Sequence, residues 1–244
     1  MPRTASYLLP YRRARVRRGR GMDALLWEDL HAQQVRFAAI VRNCTLHGRR
    51  VLDVGCGRAD LLGYLAGAGI VPGRYLGLEA QPWLARAARR RRYPNCSIAL
   101  GDFLEEPAKL AVGAEVLVFS GSLNFLSSRQ FYRALRLAWA ATQDAVVFNF
   151  LCSPDLAGLA QLTWHRRDVV LAFARRLGAV VRLDDGYEPG DCTVVMSKAP
   201  PAGSRATRPH PREGARSASP GSRAARRRGS SGLPGATRPR AGPG

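Results

Sequence analysis

Val51-Leu52-Asp53-Val54-Gly55-Cys56-Gly57 is an apolar run that ends in an acidic residue and a glycine-rich turn. Such a run fits a buried parallel strand, and the apolar spacing from Arg58 to Gly69 is that of a helix. Gly55 and Gly57 then sit where the chain turns sharply and a ligand can approach the backbone closely. Strand, glycine turn and helix N-terminus together make a nucleotide-type binding corner.

On both sides of this corner helix and strand patterns alternate. Upstream, Asp23 to Arg42 predicts an amphipathic helix that buries Leu26, Leu30, Phe37, Ile40 and Val41. Strands are predicted at 50–54, 74–79, 97–100, 116–120, 145–150, 180–184 and 192–197, with helices at about 59–68, 82–92, 128–141 and 166–177. Pro82 suits a first helical turn and Gly178 a helix stop. The short Tyr187-Glu-Pro-Gly-Asp191 turn can join only antiparallel neighbours, whereas the earlier strands have crossover helices. The expected fold is therefore α/β, a doubly wound seven-stranded sheet, mostly parallel, with a reversed final hairpin strand.

The chain of 244 residues carries a formal charge of +20, unevenly placed. Residues 1–20 hold seven Arg and no acid, and residues 200–244 hold ten Arg against Glu213 alone. We expect three regions: a disordered basic leader over 1–21, a folded domain over 22–199, and a disordered Arg/Pro/Gly/Ser-rich tail over 200–244. In the tail Leu233 is the only large aliphatic residue, too little apolar surface to offset the entropy of ordering. Five scattered cysteines without a Cys-x-x-Cys pair or a His at ligand spacing argue for reduced thiols, against a metal site, and for a cytoplasmic protein. No apolar stretch approaches the roughly 18 residues that span a bilayer, and no signal-peptide core follows the basic start.

Three acids fall at corresponding places: Asp53 at the end of the first strand, Glu79 at the end of the second, Asp102 after the third. Ligands of open α/β sheets bind outside the carboxyl ends of the strands, so all three can face one crevice. A carboxylate after strand 2 can accept both hydroxyls of a ribose. One after strand 3 can accept the amine of an adenine, with Phe103 or Leu104 packing on the base. One at the first turn can hold the loop's amides or face a positive charge. Asp60 stands where a dinucleotide-binding fingerprint, G-x-G-x-x-G, has its third glycine. A pyrophosphate would be repelled by Asp53 and Asp60, whereas a cationic cofactor would not.

Val51–Gly57, Gly77-Leu-Glu79 and Gly101-Asp102-Phe103 resemble the first three motifs of class I S-adenosylmethionine-dependent methyltransferases, over roughly residues 23–198. The terminal hairpin resembles that family's reversed seventh strand. Trp27 and Gln33-Gln34-x-Arg36-Phe37 are similar to the leader helix of a group of uncharacterised bacterial methyltransferases. The resemblance implies a Rossmann-like fold, S-adenosyl-L-methionine as cofactor, and cofactor contacts from Asp53, Gly55, Gly57, Glu79, Asp102, Phe103 and Ser120, the last flanking the methionine end with Gly121.

The acceptor side is less specific. Methyl transfer needs alignment of donor and acceptor, and a base only where the acceptor starts protonated. Ser120-Gly121-Ser122-Leu123 lacks the Asp/Asn-Pro-Pro-aromatic motif of adenine-N6 enzymes. Cys152-Ser153-Pro154 does not match the Cys setting of cytosine-C5 enzymes. Asn124 can orient an acceptor or be a satisfied loop residue; His165 beside Trp164 can line an acceptor pocket or start a helix. No catalytic residue is assigned. A small-molecule acceptor is favoured. An RNA methyltransferase holding phosphates on its basic tails is the alternative, set against an Arg to Lys ratio of 36 to 2 that looks compositional. A non-catalytic cofactor-binding module is the third class.

Overall fold

The computed structural model describes residues 5–19, 26, 27, 29–155 and 162–199. They form a seven-stranded sheet in the order β3-β2-β1-β4-β5-β7-β6. The strands are β1 (Arg50–Val54), β2 (Arg74–Glu79), β3 (Cys96–Leu100), β4 (Val116–Phe119), β5 (Ala145–Leu151), β6 (Val180–Asp184) and β7 (Asp191–Ser197). All neighbours are parallel except β7, which is antiparallel to both β5 and β6. The tight Glu188-Pro-Gly turn reverses the chain after β6 and lays β7 between β6 and β5, as the hairpin reading expects.

Strand alternation sends side chains to two cores. Val51, Val116, Val118, Val147 and Val195 meet Phe37 and Ile40 of α2 (Leu30–Asn43), Leu61 and Leu65 of α3 (Asp60–Gly67), and Ala88 of α4 (Pro82–Arg90). Leu52, Val54, Leu117, Phe148 and Val194 meet Phe131 and Leu135 of α5 (Ser128–Ala141) and Val170 and Phe173 of α6 (Arg167–Arg176). Helices thus cover both faces, which is why β4 reads as an unbroken apolar run, β5 is broken only by Asn149, and both are wholly buried. Ser127 and Gln130 form a reciprocal capping box that fixes where α5 begins.

Two expectations are corrected. The helix predicted from Asp23 starts at Leu30, because the Asp29 carboxylate accepts the Ala32 amide at 2.7 Å and caps it there. Leu26 lies before that cap with a φ of 61°, and Leu30 is 54% exposed, so neither belongs to the buried stripe. The second correction concerns the leader. Residues 6–8 form a 3₁₀ turn and Leu9–Arg18 form α1, with Tyr7 and Ala14 buried. The sequence 7–11, Tyr-Leu-Leu-Pro-Tyr, supplies apolar surface that the Arg-dominated composition hides, and Pro10 sits in a first turn that tolerates it. The domain start expected at Met22 and the tail over 200–244 lie outside the described residues. Among the described residues no helix is long and apolar enough to cross a membrane.

Candidate functional site

A cavity of about 400 Å³ opens at the carboxyl ends of β1, β2 and β4. The corner after β1 forms its floor. Gly55 has a φ of 75° and Gly57 a φ of 58°, and a Cβ on Gly55 would stand 2.5 Å from that of Ser122. Ser122 in turn donates its hydroxyl to the Val54 carbonyl at 2.7 Å, closing the β1 and β4 loops on each other.

Glu79 is 5% exposed and both of its oxygens are held: Oε2 accepts the Gly57 amide at 2.9 Å and Oε1 the Gln81 amide at 2.7 Å. Burial nonetheless pushes its carboxyl up to about 7, against the lowering effect of those amides. Asp53, 3% exposed, accepts the Tyr75 hydroxyl, and burial pushes it up to about 7 as well. The task of holding the loop's amides, open to Asp53 from sequence, therefore falls to Glu79. Asp60 also reaches the cavity, but its carboxylate is held by Arg58 at 3.3 Å and by Arg91. Its charge is compensated, so the electrostatic case against a pyrophosphate rests on the two buried carboxylates.

Of the other sequence-predicted residues, Phe103 and Ser120 line the cavity. Asp102 stands behind the wall that Gly101 and Phe103 form, half-buried; its Oδ1 accepts the Leu104 amide at 3.0 Å and the Tyr7 hydroxyl. Cys56 is buried, with a thiol pushed well above its ordinary range, a packing residue. His165 does not line the cavity. It is stacked on Phe131 at 3.9 Å between ring centres, and burial lowers its imidazole to about 4. Asn124 does line it, 8% exposed, with Oδ1 buried and unpartnered among the described residues.

Much of the remaining wall was not read from the sequence. Tyr7, Leu8 and Tyr11 close one side, anchored by Gln81 donating to the Leu8 carbonyl at 3.2 Å and by Tyr11 edge-on to Phe125 at 5.1 Å. Gln33, Arg36 and Phe37 of α2 close another, with Trp27 lying against Gly121, where a Cβ would come within 2.7 Å of its ring. Arg36 lies under the Trp27 ring at 5.1 Å and is paired with Asp191, whose side chain is wholly buried. From Asp191 a buried chain of hydroxyls and amides returns to the cavity. Tyr187 donates to Asp191 at 2.5 Å, Thr193 to Tyr187 at 2.9 Å, Asn149 to Thr193 at 2.6 Å, and Ser120 to Asn149 at 3.2 Å. Both ends of this network, Arg36 and Ser120, face the same space. The sequence signal was the Gln33–Phe37 motif; its partner 155 residues away carried none.

No protein-family model matches this sequence, and no curated protein matches it. Solved structures do. Magnesium protoporphyrin IX methyltransferase (ChlM) from Synechocystis PCC 6803 with bound SAH superposes with a TM-score of 0.57 at 15% identity, covering 80% of this chain and 95% of that one. The DhpI–SAM–HEP complex gives 0.60 at 15% identity, covering 80% and 99%. An O-methyltransferase family protein from Burkholderia thailandensis gives 0.61 at 14% identity, covering 77% of this chain and 62% of that one. With the strand order, the reversed β7 and the carboxylates at the ends of β1 and β2, these likenesses show that the chain has the class I methyltransferase fold.

Proposed function

We propose that this chain is an S-adenosyl-L-methionine-dependent methyltransferase acting on a small-molecule acceptor. The observation that carries the reading is the buried Glu79 carboxylate, fixed by two backbone amides on the floor of a cavity that holds a second buried carboxylate, Asp53. Two carboxylates in an apolar wall suit a ligand that brings hydroxyl donors and positive charge, and they would oppose a pyrophosphate. When bound, the cofactor supplies a methyl group on a positively charged sulfur, open to in-line attack. Glu79 keeps lone pairs beyond its two amide bonds and would accept the ribose hydroxyls. Phe103 would pack on the base, while Asp102, outside the lining, would hold the Tyr7 hydroxyl at the edge of that pocket rather than meet the base itself. Asp53, Gly55, Gly57 and Ser120 would frame the methionine end. Asn124, Phe125, Leu151 and Leu162 would border the acceptor, with Arg36 and Trp27 above it; an apolar wall with few polar groups is the usual lining of a small-molecule site. His165 takes no part, since it stacks away from the cavity.

The test has two stages. Calorimetry should show S-adenosylhomocysteine binding that Glu79→Gln weakens at least tenfold; normal affinity in that variant removes the site assignment. Tritiated methyl transfer to cell extract, fractionated into RNA, protein and metabolites, should then place label in the metabolites. Label in RNA would transfer the reading to an RNA methyltransferase, and tight binding without transfer would make the chain a cofactor-binding module. The Arg-rich tail, on which the RNA alternative leans, lies outside the described residues.

A further inference from the structure

Asp60 faces the donor cavity, but both of its cations reach it from another one. Arg58, in the turn after β1, and Arg91, just past α4, also line a second cavity of about 290 Å³, together with Arg15 of α1 and Arg86, Arg90 and Trp83 of α4. Among the described residues no carboxylate lines it; Asp60 is the counter-charge to two of its five arginines.

A solvated helix end accounts for part of this. Cations favour a helix C-terminus, which covers Arg90 and Arg91. It does not cover Arg15 and Arg58, which the fold brings to the same hollow from elsewhere in the chain. Nor does it cover Arg86, four residues before Arg90 on the same helix, where the two make a like-charge pair that weakens the helix it sits on. Arg15 lies over the Trp83 ring at 5.5 Å. Trp83 is 5% exposed, and its indole N–H is buried with no acceptor among the described residues. A buried donor of that kind is rarely left unmet in a folded protein.

We propose that this cavity is a binding site for a compact phosphoryl anion, of the pyrophosphate or phosphate-monoester kind, separate from the donor site. Guanidinium forks match phosphate oxygens in pairs, and Arg is the side chain suited to that recognition. Convergence of cations from three parts of the chain on one hollow suits a compact anion. An extended phosphodiester strand calls for cations spread along a track. The site also touches the donor cavity: an anion drawing on Arg58 and Arg91 competes with Asp60 and so changes the charge of the donor wall.

Calorimetry of the full chain with inorganic pyrophosphate, at fixed ionic strength and without methyl donor, tests this independently of the methyltransferase reading. We expect one saturable site. Arg86→Gln with Arg90→Gln should weaken it at least tenfold while leaving S-adenosylhomocysteine affinity within twofold. Arg129→Gln with Arg133→Gln, an equal charge change at exposed positions of α5, should alter pyrophosphate affinity less than twofold. Equal losses in the two double variants would mean net charge alone, and absence of saturable binding would leave no site; either overturns the proposal. So would a single-stranded RNA oligonucleotide that binds through Arg86 and Arg90 and is not displaced by pyrophosphate. If the first double variant melts early, Arg90→Gln alone is read the same way, with a threefold loss or more expected.

Discussion

Raising the pH should tighten S-adenosylhomocysteine binding, because the two carboxylates on the cavity floor must ionise to accept hydroxyls and face a cation. Burial holds Glu79 at about 7 against an ordinary 4.5, and Asp53 at about 7 against 3.8. A single group titrating near 7 is about one-tenth ionised at pH 6 and about nine-tenths at pH 8, so affinity should rise about tenfold between them. If both charges are needed the rise approaches about a hundredfold. The Asp53 charge raises Glu79 further, so the two are read together as one titration. The free protein should move the other way. Each carboxyl binds its proton more tightly folded than unfolded, so its contribution is full below pH 4 and is lost as the pH climbs through 7. For Glu79 that is about 3 kcal/mol, at about 1.4 kcal/mol per tenfold change in proton affinity. Calorimetry at pH 6, 7 and 8, in buffers of different ionisation enthalpy, reads both the affinity and the protons released. Glu79→Gln should flatten part of the slope. Affinity that is flat across this range, or that tightens on acidification, would refute the assignment of these carboxylates to the ligand.

Asp191→Asn leaves the Arg36 guanidinium buried without its counter-charge and should cost about 3–5 kcal/mol, a fall in Tm of roughly 6–20 °C by circular dichroism. Replacing the pair together, Arg36→Met with Asp191→Leu, should recover most of it. Gly55→Ala meets both a φ of 75° and the Ser122 Cβ at 2.5 Å. It should cost about 1–3 kcal/mol in a urea melt and weaken ligand binding, with partial relief by Ser122→Gly. Deleting residues 1–19 strips Tyr7, Leu8 and Tyr11 from the wall and should weaken S-adenosylhomocysteine binding at least tenfold; unchanged affinity would make α1 a passenger. The neutral, buried His165 holds stability above pH 6.5 and loses it as the pH falls toward 4. His165→Leu should remove about 2 kcal/mol of that acid sensitivity in urea melts at pH 4.5 and 7, without changing ligand affinity.

The strands were legible because each is a short apolar run between turn signals, and β6 and the start of α5 fall on the expected residues. Glu79 was legible for the same reason: a strand end fixes where a side chain points. What stayed hidden depends on distant partners or on composition that misleads. Asp29 as a cap was lost inside a longer amphipathic pattern. Tyr7 and Tyr11 were masked by the arginines around them, since a charge count weighs Arg12 and Arg13 and overlooks the apolar residues between. The Arg36–Asp191 pair joins α2 to the start of β7, and nothing local marks either residue as buried. Asp60 was legible as an acid at the turn, but its partner Arg91 comes from 31 residues away, and nothing local marks the pairing.

The placement of β7 has a consequence for how the molecule is made. It is the last strand among the described residues, yet it lies inside the sheet, paired along β5 on one side and β6 on the other. Until it emerges from the ribosome, β5 has an open edge, apolar but for Asn149, and β6 has no strand beside it, the kind of edge that recruits another chain.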